Sequence, residues 1–193
     1  SSTGHYNPNY NKHKVHLCRY ADDFIVTADC REVLIEIKQL LVGFMNTRGL
    51  KLSEEKTVTT SINDGFDFLG WNFRKFRGKL LIQPSTKSKK KVTEKLSQTV
   101  KYYRGAKQEL LITKLNEITK GWAEYHHCVC AKRAFALIDH RLWEMLWKWA
   151  KRRHPRKNNK WIKNRYWHTK CGRQWSFRTE KTILYQMMDM PIV

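Results

Sequence analysis

The spacing of apolar residues changes at Pro84, and this change constrains the fold more than any other feature. Before Pro84, alternating apolar residues between turn residues are typical of strands. After Pro84, apolar residues recur every three or four positions, which is typical of amphipathic helices. The sequence therefore predicts an α+β first half, an antiparallel sheet with a covering helix, followed by an all-α bundle. The predicted strands are Val15–Tyr20, Phe24–Ala28, Lys56–Ile62, Phe66–Phe73 and Lys79–Gln83.

Local signals predict where the helices begin and end. Asp29 is a suitable N-cap with Glu32 three positions later, and Gly49 supplies a stop for that helix. His154-Pro155 is expected to end the last bundle helix, because proline cannot continue it. The three bundle stripes are Val92, Leu96, Val100 and Tyr103; Leu111, Leu115, Ile118, Trp122 and Tyr125; and Phe135, Ile138, Leu142, Met145 and Trp149.

Positive charge is concentrated in the second half of the chain. The 193 residues carry a net charge of +21, of which +3 falls in residues 1–82 and +18 in residues 83–193. A field of this sign attracts polyanions through counterion release, and the 8 Trp, 8 Tyr and 8 Phe offer faces on which bases can stack. Nucleic acid is therefore the expected partner. The alternative is a solvated basic surface, but such surfaces are usually poor in Trp.

Composition argues against secretion and against membrane insertion. The chain opens with no charged and then apolar leader, and no run approaches the roughly 18 apolar residues of a membrane span. The 5 cysteines are odd in number and irregularly spaced, which favours reduced thiols over a disulfide framework. A cytoplasmic location without a membrane partner is the expectation.

Asp22 and Asp23 stand together at the predicted turn between the first two strands. Adjacent carboxylates raise each other's pKa unless a cation lies beside them, and their hard oxygen atoms suit Mg²⁺. A pair of such ions about 4 Å apart would serve phosphoryl transfer. We expect Asp22 to be a direct ligand and Asp23 to be partly ligand and partly support. The alternative is local hydrogen bonding, for which acidic pairs are common in turns.

The residues around this pair resemble the palm of reverse transcriptases and, more closely, a group II intron-encoded reverse transcriptase and maturase. The family's Tyr-Ala-Asp-Asp block stands intact at Tyr20–Asp23. The resemblance extends over roughly residues 15–167. Further matching positions are Gly49, Leu50, Lys56 and Thr57; Phe68-Leu69-Gly70-Trp71 with Phe73; and, in the second half, Gly121-Trp122, Tyr125, Phe135, Ile138-Asp139, Leu142, Trp149 and Arg152-Arg153-His154-Pro155.

The resemblance implies roles for individual residues. Tyr20 and Ala21 would line the primer and nucleotide site, and Lys56 would approach the departing pyrophosphate as a general acid. Leu69-Gly70-Trp71 would form the primer grip. The implied division is residues 1–83 for the end of the palm, 84–167 for the thumb or maturase domain, and 168–193 for the start of a DNA-binding or variable region.

One departure from the family pattern concerns the metal site. The family places a third metal-binding aspartate on an earlier palm strand, and every other aspartate of this chain follows the turn. The two-metal Mg²⁺ site would therefore be completed by an aspartate outside this chain. The sequence looks like the C-terminal part of a longer polymerase and is not expected to polymerise alone.

Basic residues of the second half are expected to bind nucleic-acid phosphates, which fixes position more than sequence. Trp161, Tyr166 and Trp167 would stack on bases, whereas Trp143, Trp147 and Trp149 are predicted core residues. The expected nucleic-acid-binding set is Lys87, Lys89, Lys90, Lys91, Lys95, Lys151, Arg152, Arg153, Arg156, Lys157, Lys160, Trp161, Lys163 and Arg165.

Two groups of Cys and His give weaker signals. The run His126-His127-Cys128-Val129-Cys130 lacks zinc-finger spacing, so a helix face with buried thiols is predicted instead. His168 and Cys171 could begin a metal half-site.

Three functions fit these features. The favoured one is an RNA-directed DNA polymerase and maturase that binds group II intron RNA, assists splicing and copies the intron into DNA, with target DNA and a template–primer duplex as further partners. A polymerase-inactive splicing cofactor and a reverse transcriptase recruited to a defence system are the alternatives. The intron, the DNA target and the oligomeric state stay open.

Overall fold

The computed structural model describes residues 11–169 and 175–193. The chain divides into two units, Ser1–Thr60 and Ser61–Val193. Helices and small antiparallel sheets make up both, so the predicted α+β class is confirmed. In chain order the elements are β1 (His16–Tyr20), β2 (Asp23–Thr27), α1 (Arg31–Asn46), β3 (Phe66–Phe68), β4 (Trp71–Phe76), β5 (Lys79–Pro84), α2 (Thr86–Tyr102), α3 (Gln108–His126), α4 (Lys132–Arg153), α5 (Asn159–Tyr166), β6 (Trp167–Thr169) and β7 (Trp175–Phe177).

The first unit contains a hairpin of β1 and β2. The strands are antiparallel, Tyr20 lies opposite Asp23, and the loop is Ala21-Asp22. Of the two loop residues only Ala21 has a positive φ, +53°, which is the type II′ pattern that suits the twist of paired strands. The predicted hairpin is confirmed, and its strand ends agree with the prediction to within one residue.

The start of α1 differs from the prediction. Cys30 occupies the N-cap position, and it makes no side-chain capping hydrogen bond. The carboxylate of Asp29 instead lies 3.3 Å from Nδ1 of His13. The predicted capping role of Asp29 is therefore wrong, because its side chain has an alternative partner outside the helix.

The end of α1 follows the prediction. Gly49 has a φ of +69°, a conformation that glycine adopts without strain. The N–H of Gly49 donates to the carbonyl of Asn46 at 3.1 Å, and the N–H of Leu50 donates to the carbonyl of Met45 at 3.0 Å. These are the two hydrogen bonds of a Schellman motif. No residue of α1 is buried, so its apolar stripe stays at least partly exposed.

The predicted strand at residues 56–62 does not form. Residues 54–56 lie in a turn, and residues 57–61 have no regular structure. Alternating apolar residues become a strand only when a neighbouring strand supplies hydrogen bonds. Among the described residues, β1 and β2 pair only with each other and offer this segment no partner.

The second unit begins with the sheet β3-β4-β5, in that order and antiparallel throughout. Its two connections, Leu69-Gly70 and Arg77-Gly78, have positive φ at both positions, which is the type I′ pattern. The predicted single strand Phe66–Phe73 is therefore wrong, because the Leu69-Gly70 turn divides it. The rings of Phe66 and Phe73 consequently stack across the hairpin with centroids 5.4 Å apart.

The core of the second unit lies between α2, α3 and α4. Residues of all three predicted stripes are buried there, and α4 ends at Arg153 as expected. None of the helices within the described residues combines the length and apolar composition needed to cross a membrane. The buried members of the stripes are Val92, Leu96, Val100, Leu111, Leu115, Phe135, Ile138, Leu142 and Trp149.

The C-terminal segment packs on the bundle. Met187 is fully buried, and the carboxylate of Asp139 on α4 accepts its N–H at 3.2 Å. Asn116 on α3 donates to the carbonyl of Ile183 at 2.9 Å and accepts the N–H of Tyr185 at 2.8 Å. These contacts hold residues 183–187 against α3 and α4.

Candidate functional site

The two adjacent aspartates lie at the tip of the β1–β2 hairpin. Asp22 is the second loop residue, Asp23 is the first residue of β2, and both side chains are exposed. The loop is held by Nε of Arg19, which donates to the carbonyl of Ala21 at 2.7 Å. The tip of the hairpin therefore carries two exposed carboxylates at consecutive positions.

These carboxylates fit Mg²⁺ in donor type, and they fill only part of its coordination shell. Magnesium prefers hard oxygen ligands in octahedral geometry and commonly takes only one or two of them from protein carboxylates. Within residues 11–60, no third His, Cys, Asp or Glu ligand atom groups with Asp22 and Asp23. The hairpin can contribute two ligands, and the rest of the shell must come from elsewhere.

The other predicted site residues of this unit, catalytic Lys56 and the nucleotide-site residues Tyr20 and Ala21, are also exposed. Tyr20 and Ala21 lie in the same hairpin as the aspartates. Lys56 ends the turn that follows α1, and its N–H donates to the carbonyl of Ser53 at 3.2 Å. The structure thus brings Tyr20 and Ala21 together with the carboxylates through the hairpin, whereas the role of Lys56 stays a prediction.

Three other groups do approach one another in this unit. Ligand atoms of His13, Asp29 and Cys30 lie within 4.8 Å of each other. His13 and Asp29 already contact each other directly at 3.3 Å and are both exposed. This cluster is not one that the sequence indicated.

The Leu69-Gly70 turn of the second unit is joined by hydrogen bonds to α3 and to the start of α2. The hydroxyl of Tyr125 on α3 donates to the carbonyl of Leu69 at 2.6 Å, and the N–H of Ser85 donates to the carbonyl of Gly70 at 2.9 Å. Ser85 is also the N-cap of α2, where its side chain accepts the N–H of Ser88. The predicted primer grip is thus a turn held at both carbonyls.

His126 lies at the centre of a buried polar network. Its Nδ1 accepts the indole N–H of Trp71 at 2.9 Å, and its Nε2 lies 3.1 Å from Oγ of Ser88. Trp122 donates its indole N–H to the same Oγ at 3.1 Å. Burial lowers the pKa of His126 to about 4, so the imidazole is neutral at physiological pH.

The cysteines near His126 differ from the prediction. Cys128 and Cys130 are exposed, so the predicted face of buried thiols is wrong. His126 ends α3, and the following residues form a turn rather than continuing a helix face. All four cysteines in the described ranges are free thiols. Cys171, the partner proposed for His168, lies outside the described residues.

Lysines line one side of α2. Lys87, Lys91 and Lys95 recur every four residues, so they share a face, and all three are exposed. The first turn of this helix contains no acidic residue. Of the three, Lys87 lies in the first turn and opposes the helix dipole, which costs about 0.3–1 kcal/mol unless an anion binds nearby.

The two arginines at the end of α4 differ in their surroundings. Arg153 donates from Nη1 to the carbonyls of Arg104 at 3.0 Å and Ala106 at 2.9 Å, and its guanidinium lies 4.6 Å from the ring centroid of Trp149. Arg152 is exposed and has no such contacts among the described residues. Arg153 therefore holds the α2–α3 connection, whereas Arg152 is available to a phosphate.

The remaining predicted phosphate-binding residues are almost all exposed. Two of these lysines lie over indole rings: Nζ of Lys157 is 5.3 Å from the ring centroid of Trp161, and Nζ of Lys163 is 3.7 Å from that of Trp175. The exposed residues are Lys90, Lys151, Arg156, Lys157, Lys160, Trp161, Lys163 and Arg165, whereas Lys89 is half-buried.

The structure reverses part of the aromatic prediction. Tyr166 and Trp167 are 6% and 2% exposed, so they belong to the core and cannot stack on bases. Trp143, predicted to be core, is 45% exposed, and it stacks on Trp147 with centroids 5.6 Å apart. Trp161 is 36% exposed, and its base-stacking role stays a prediction.

Comparison with known families matches two consecutive parts of the chain. Residues 4–73, which include the Asp22-Asp23 hairpin, match the reverse transcriptase (RNA-dependent DNA polymerase) family. Residues 89–167, which span the helical bundle, match the group II intron, maturase-specific domain. No curated protein matches the chain.

The hairpin and the bundle thus define a reverse transcriptase segment followed by a maturase domain. That order of domains is the one the sequence motifs indicated. The two matches together are those expected of a fragment of a group II intron reverse transcriptase and maturase.

Proposed function

We propose that this chain supplies the metal-binding hairpin and the thumb of an RNA-directed DNA polymerase that is also an intron maturase. It binds group II intron RNA, assists its splicing and copies it into DNA during intron mobility. The observation that carries the proposal is the pair Asp22 and Asp23 on one hairpin inside the reverse transcriptase match, followed by a maturase domain in the half with a charge of +18. Residues 1–83, 84–167 and 168–193 are the proposed palm, thumb and variable regions.

The proposed chemistry at the hairpin follows from charge. Asp22 and Asp23 would hold Mg²⁺, and a bound ion would supply positive charge to activate a 3′-hydroxyl and to neutralise the departing pyrophosphate. The two carboxylates repel each other less when a cation lies between them, so the hairpin favours cation binding. Tyr20 and Ala21 would line the nucleotide site, and Lys56 would donate a proton to the pyrophosphate.

RNA binding is proposed for the bundle because of its exposed cations. Lys87, Lys91 and Lys95 on α2 form a row with steps of about 6 Å along the helix axis, the rise of four helical residues. An anion at the start of α2 would be favoured both by these side chains and by the helix dipole. Phosphates of intron RNA and of a template–primer duplex carry that charge, and target DNA does too.

Primer extension by the polymerase that contains this chain tests the catalytic part. We expect Asp22→Ala to reduce extension to background, because a metal ligand is lost. Asp64→Ala is the matched control, since Asp64 is an exposed turn aspartate of the other unit. Equal extension by wild type and Asp22→Ala would contradict the catalytic assignment.

Splicing at low Mg²⁺ concentration tests the maturase part. We expect wild type and Asp22→Ala to stimulate splicing equally, because the proposed RNA contacts lie on the bundle. Splicing that is unchanged by the wild-type protein would contradict this part. Stimulated splicing without any primer extension would favour the splicing cofactor.

A further inference from the structure

The Leu69-Gly70 turn directs both of its carbonyls to the helices behind it. One carbonyl accepts from Tyr125 on α3 and the other from the N–H of Ser85 at the start of α2. In the described parts of the chain, the N–H groups of Leu69 and Gly70 pair with no acceptor. The turn therefore offers two hydrogen-bond donors and no unpaired carbonyl to a ligand.

Trp71, the next residue, links the turn to α3 a second time. Its ring stacks on that of Tyr125, with centroids 5.3 Å apart and planes 24° apart. Its indole N–H donates to His126 at 2.9 Å. Tyr125 and His126, neighbours on α3, thus fix the carbonyl of Leu69 and the side chain of Trp71, the residues on either side of Gly70.

A histidine suits position 126 because its two ring nitrogens differ. The indole of Trp71 can only donate, so Nδ1 of His126 must accept, and the proton lies on Nε2, which donates to Ser88. A phenylalanine would fill the same space and satisfy neither neighbour. The side chain is 1% exposed, so no solvent competes for these hydrogen bonds.

We propose that Tyr125 and His126 are positioning residues that hold the Leu69-Gly70 turn against the sugar–phosphate backbone of a bound primer strand. The inference rests on the proposed function, because it assigns this turn to the template–primer duplex. Two N–H donors suit phosphate oxygen atoms, which carry the negative charge of the strand. Because the turn is joined to α2 and α3, it keeps a fixed position relative to the lysines of α2.

A binding experiment with a DNA primer on an RNA template tests the proposal. Tyr125→Phe keeps the aromatic ring and removes the hydroxyl that donates to the carbonyl of Leu69. We expect it to raise both the Kd of the duplex and the KM for primer–template about fivefold, the effect of one lost hydrogen bond, with an unchanged kcat for single-nucleotide addition. Asn116→Ala is the control, because it removes two hydrogen bonds from the same helix at a distance from the turn.

Hydrogen–deuterium exchange provides a second measurement that needs no polymerisation. We expect the amides of Leu69 and Gly70 to exchange fast in the free protein and to become protected when the duplex binds. Unprotected amides in the bound wild type would overturn the proposal, as would equal Kd values for Tyr125→Phe and Asn116→Ala. Absence of primer extension by the wild type would contradict the proposed polymerase function alone, since the Kd of the duplex and the exchange of the two amides are both measured without extension.

A double-mutant cycle tests the part assigned to His126. If His126 acts through Trp71, adding His126→Phe to Trp71→Phe should weaken duplex binding no further. Fully additive losses would overturn the role of His126 as a positioning residue.

Discussion

Acidification should destabilise the unit Ser61–Val193 through His126. In the folded state this side chain is buried, and its Nδ1 accepts the indole N–H of Trp71. The indole can only donate, so it could not pair with Nδ1 of a protonated imidazole. Burial lowers its pKa from 6.5 to about 4. In the unfolded chain the same group is solvated and titrates near its ordinary value.

The sign and size of the effect follow from linkage between protonation and folding. Between about pH 6.5 and pH 4 the unfolded state binds a proton that the folded state does not, so the stability conferred by neutral His126 is complete above this range. It is lost as the pH falls. The free energy of unfolding should drop by about 2 kcal/mol from pH 8 to pH 5, and by about 3 kcal/mol once the folded protein is protonated too.

Urea unfolding followed by tryptophan fluorescence measures this loss. All 8 tryptophans lie at or after Trp71, so the signal reports on the second unit alone. His126→Asn keeps an acceptor for Trp71 but does not titrate, and its stability should vary less with pH. Burial raises the pKa of Asp139, so this carboxyl favours the folded state in acid, opposite to the effect of His126. Both wild type and His126→Asn contain Asp139, so the difference between their pH profiles cancels its contribution. Parallel pH profiles for wild type and His126→Asn would refute the reasoning.

Two further predictions concern single side chains. Arg152→Ala should leave the free energy of unfolding unchanged and reduce the slope of log Kd for RNA against log salt concentration by about 1. Arg153→Ala should lower the free energy of unfolding by about 1–2 kcal/mol, because two carbonyls lose their donor. Equal salt slopes for the two variants would contradict this distinction. Gly65→Ala should destabilise more than Gly78→Ala in urea unfolding, because both have positive φ but only at Gly65 would a Cβ lie 3.1 Å from the carbonyl oxygen of Phe73. Each substitution should lower the free energy of unfolding by about 1 kcal/mol through backbone strain, and the crowding at Gly65 should add a similar amount. Equal losses for the two variants would show that the neighbouring strand moves to accommodate the new Cβ at position 65.

Features that depend on neighbours in sequence could be predicted from the sequence. The three bundle stripes repeat at the helical period, so the faces that they bury follow from the spacing alone. Gly49 and the Ala21-Asp22 loop are equally local, since each depends on one or two backbone dihedral angles. The charge of the second half also needs no structure to be recognised.

The division of Phe66–Phe73 was predictable in principle, because the alternation changes phase within it. Phe66 and Phe68 differ from Trp71 and Phe73 by an odd number of positions, so a continuous strand would place the two pairs on opposite faces. A two-residue turn at Leu69-Gly70 returns Phe73 to a position opposite Phe66. The change of phase, together with glycine, was the signal for the turn.

Features that depend on distant partners could not be predicted. His126 is buried because Trp71, 55 positions earlier, and Ser88, 38 positions earlier, reach its two nitrogens. Periodicity reports which side of a helix faces the core but not which polar groups meet there. The prediction for two tryptophans failed for the same reason: Trp167 is buried and Trp143 is exposed. Which of them is buried depends on how α5 and the strand after it pack against α4, and periodicity does not report that.

The family block Phe68-Leu69-Gly70-Trp71 now divides into two parts with different physical demands. Trp71 faces α3 and needs an aromatic ring with an N–H, because it both stacks on Tyr125 and donates to His126. Leu69-Gly70 needs positive φ at two positions and free N–H groups, and at Gly70 a Cβ would still find ordinary contact distances of 3.8 Å. Backbone conformation, rather than lack of space, is therefore what glycine provides at this turn. A nucleic-acid strand approaching it would meet main-chain donors whose turn is held by hydrogen bonds from Tyr125 of α3 and from Ser85 at the start of α2.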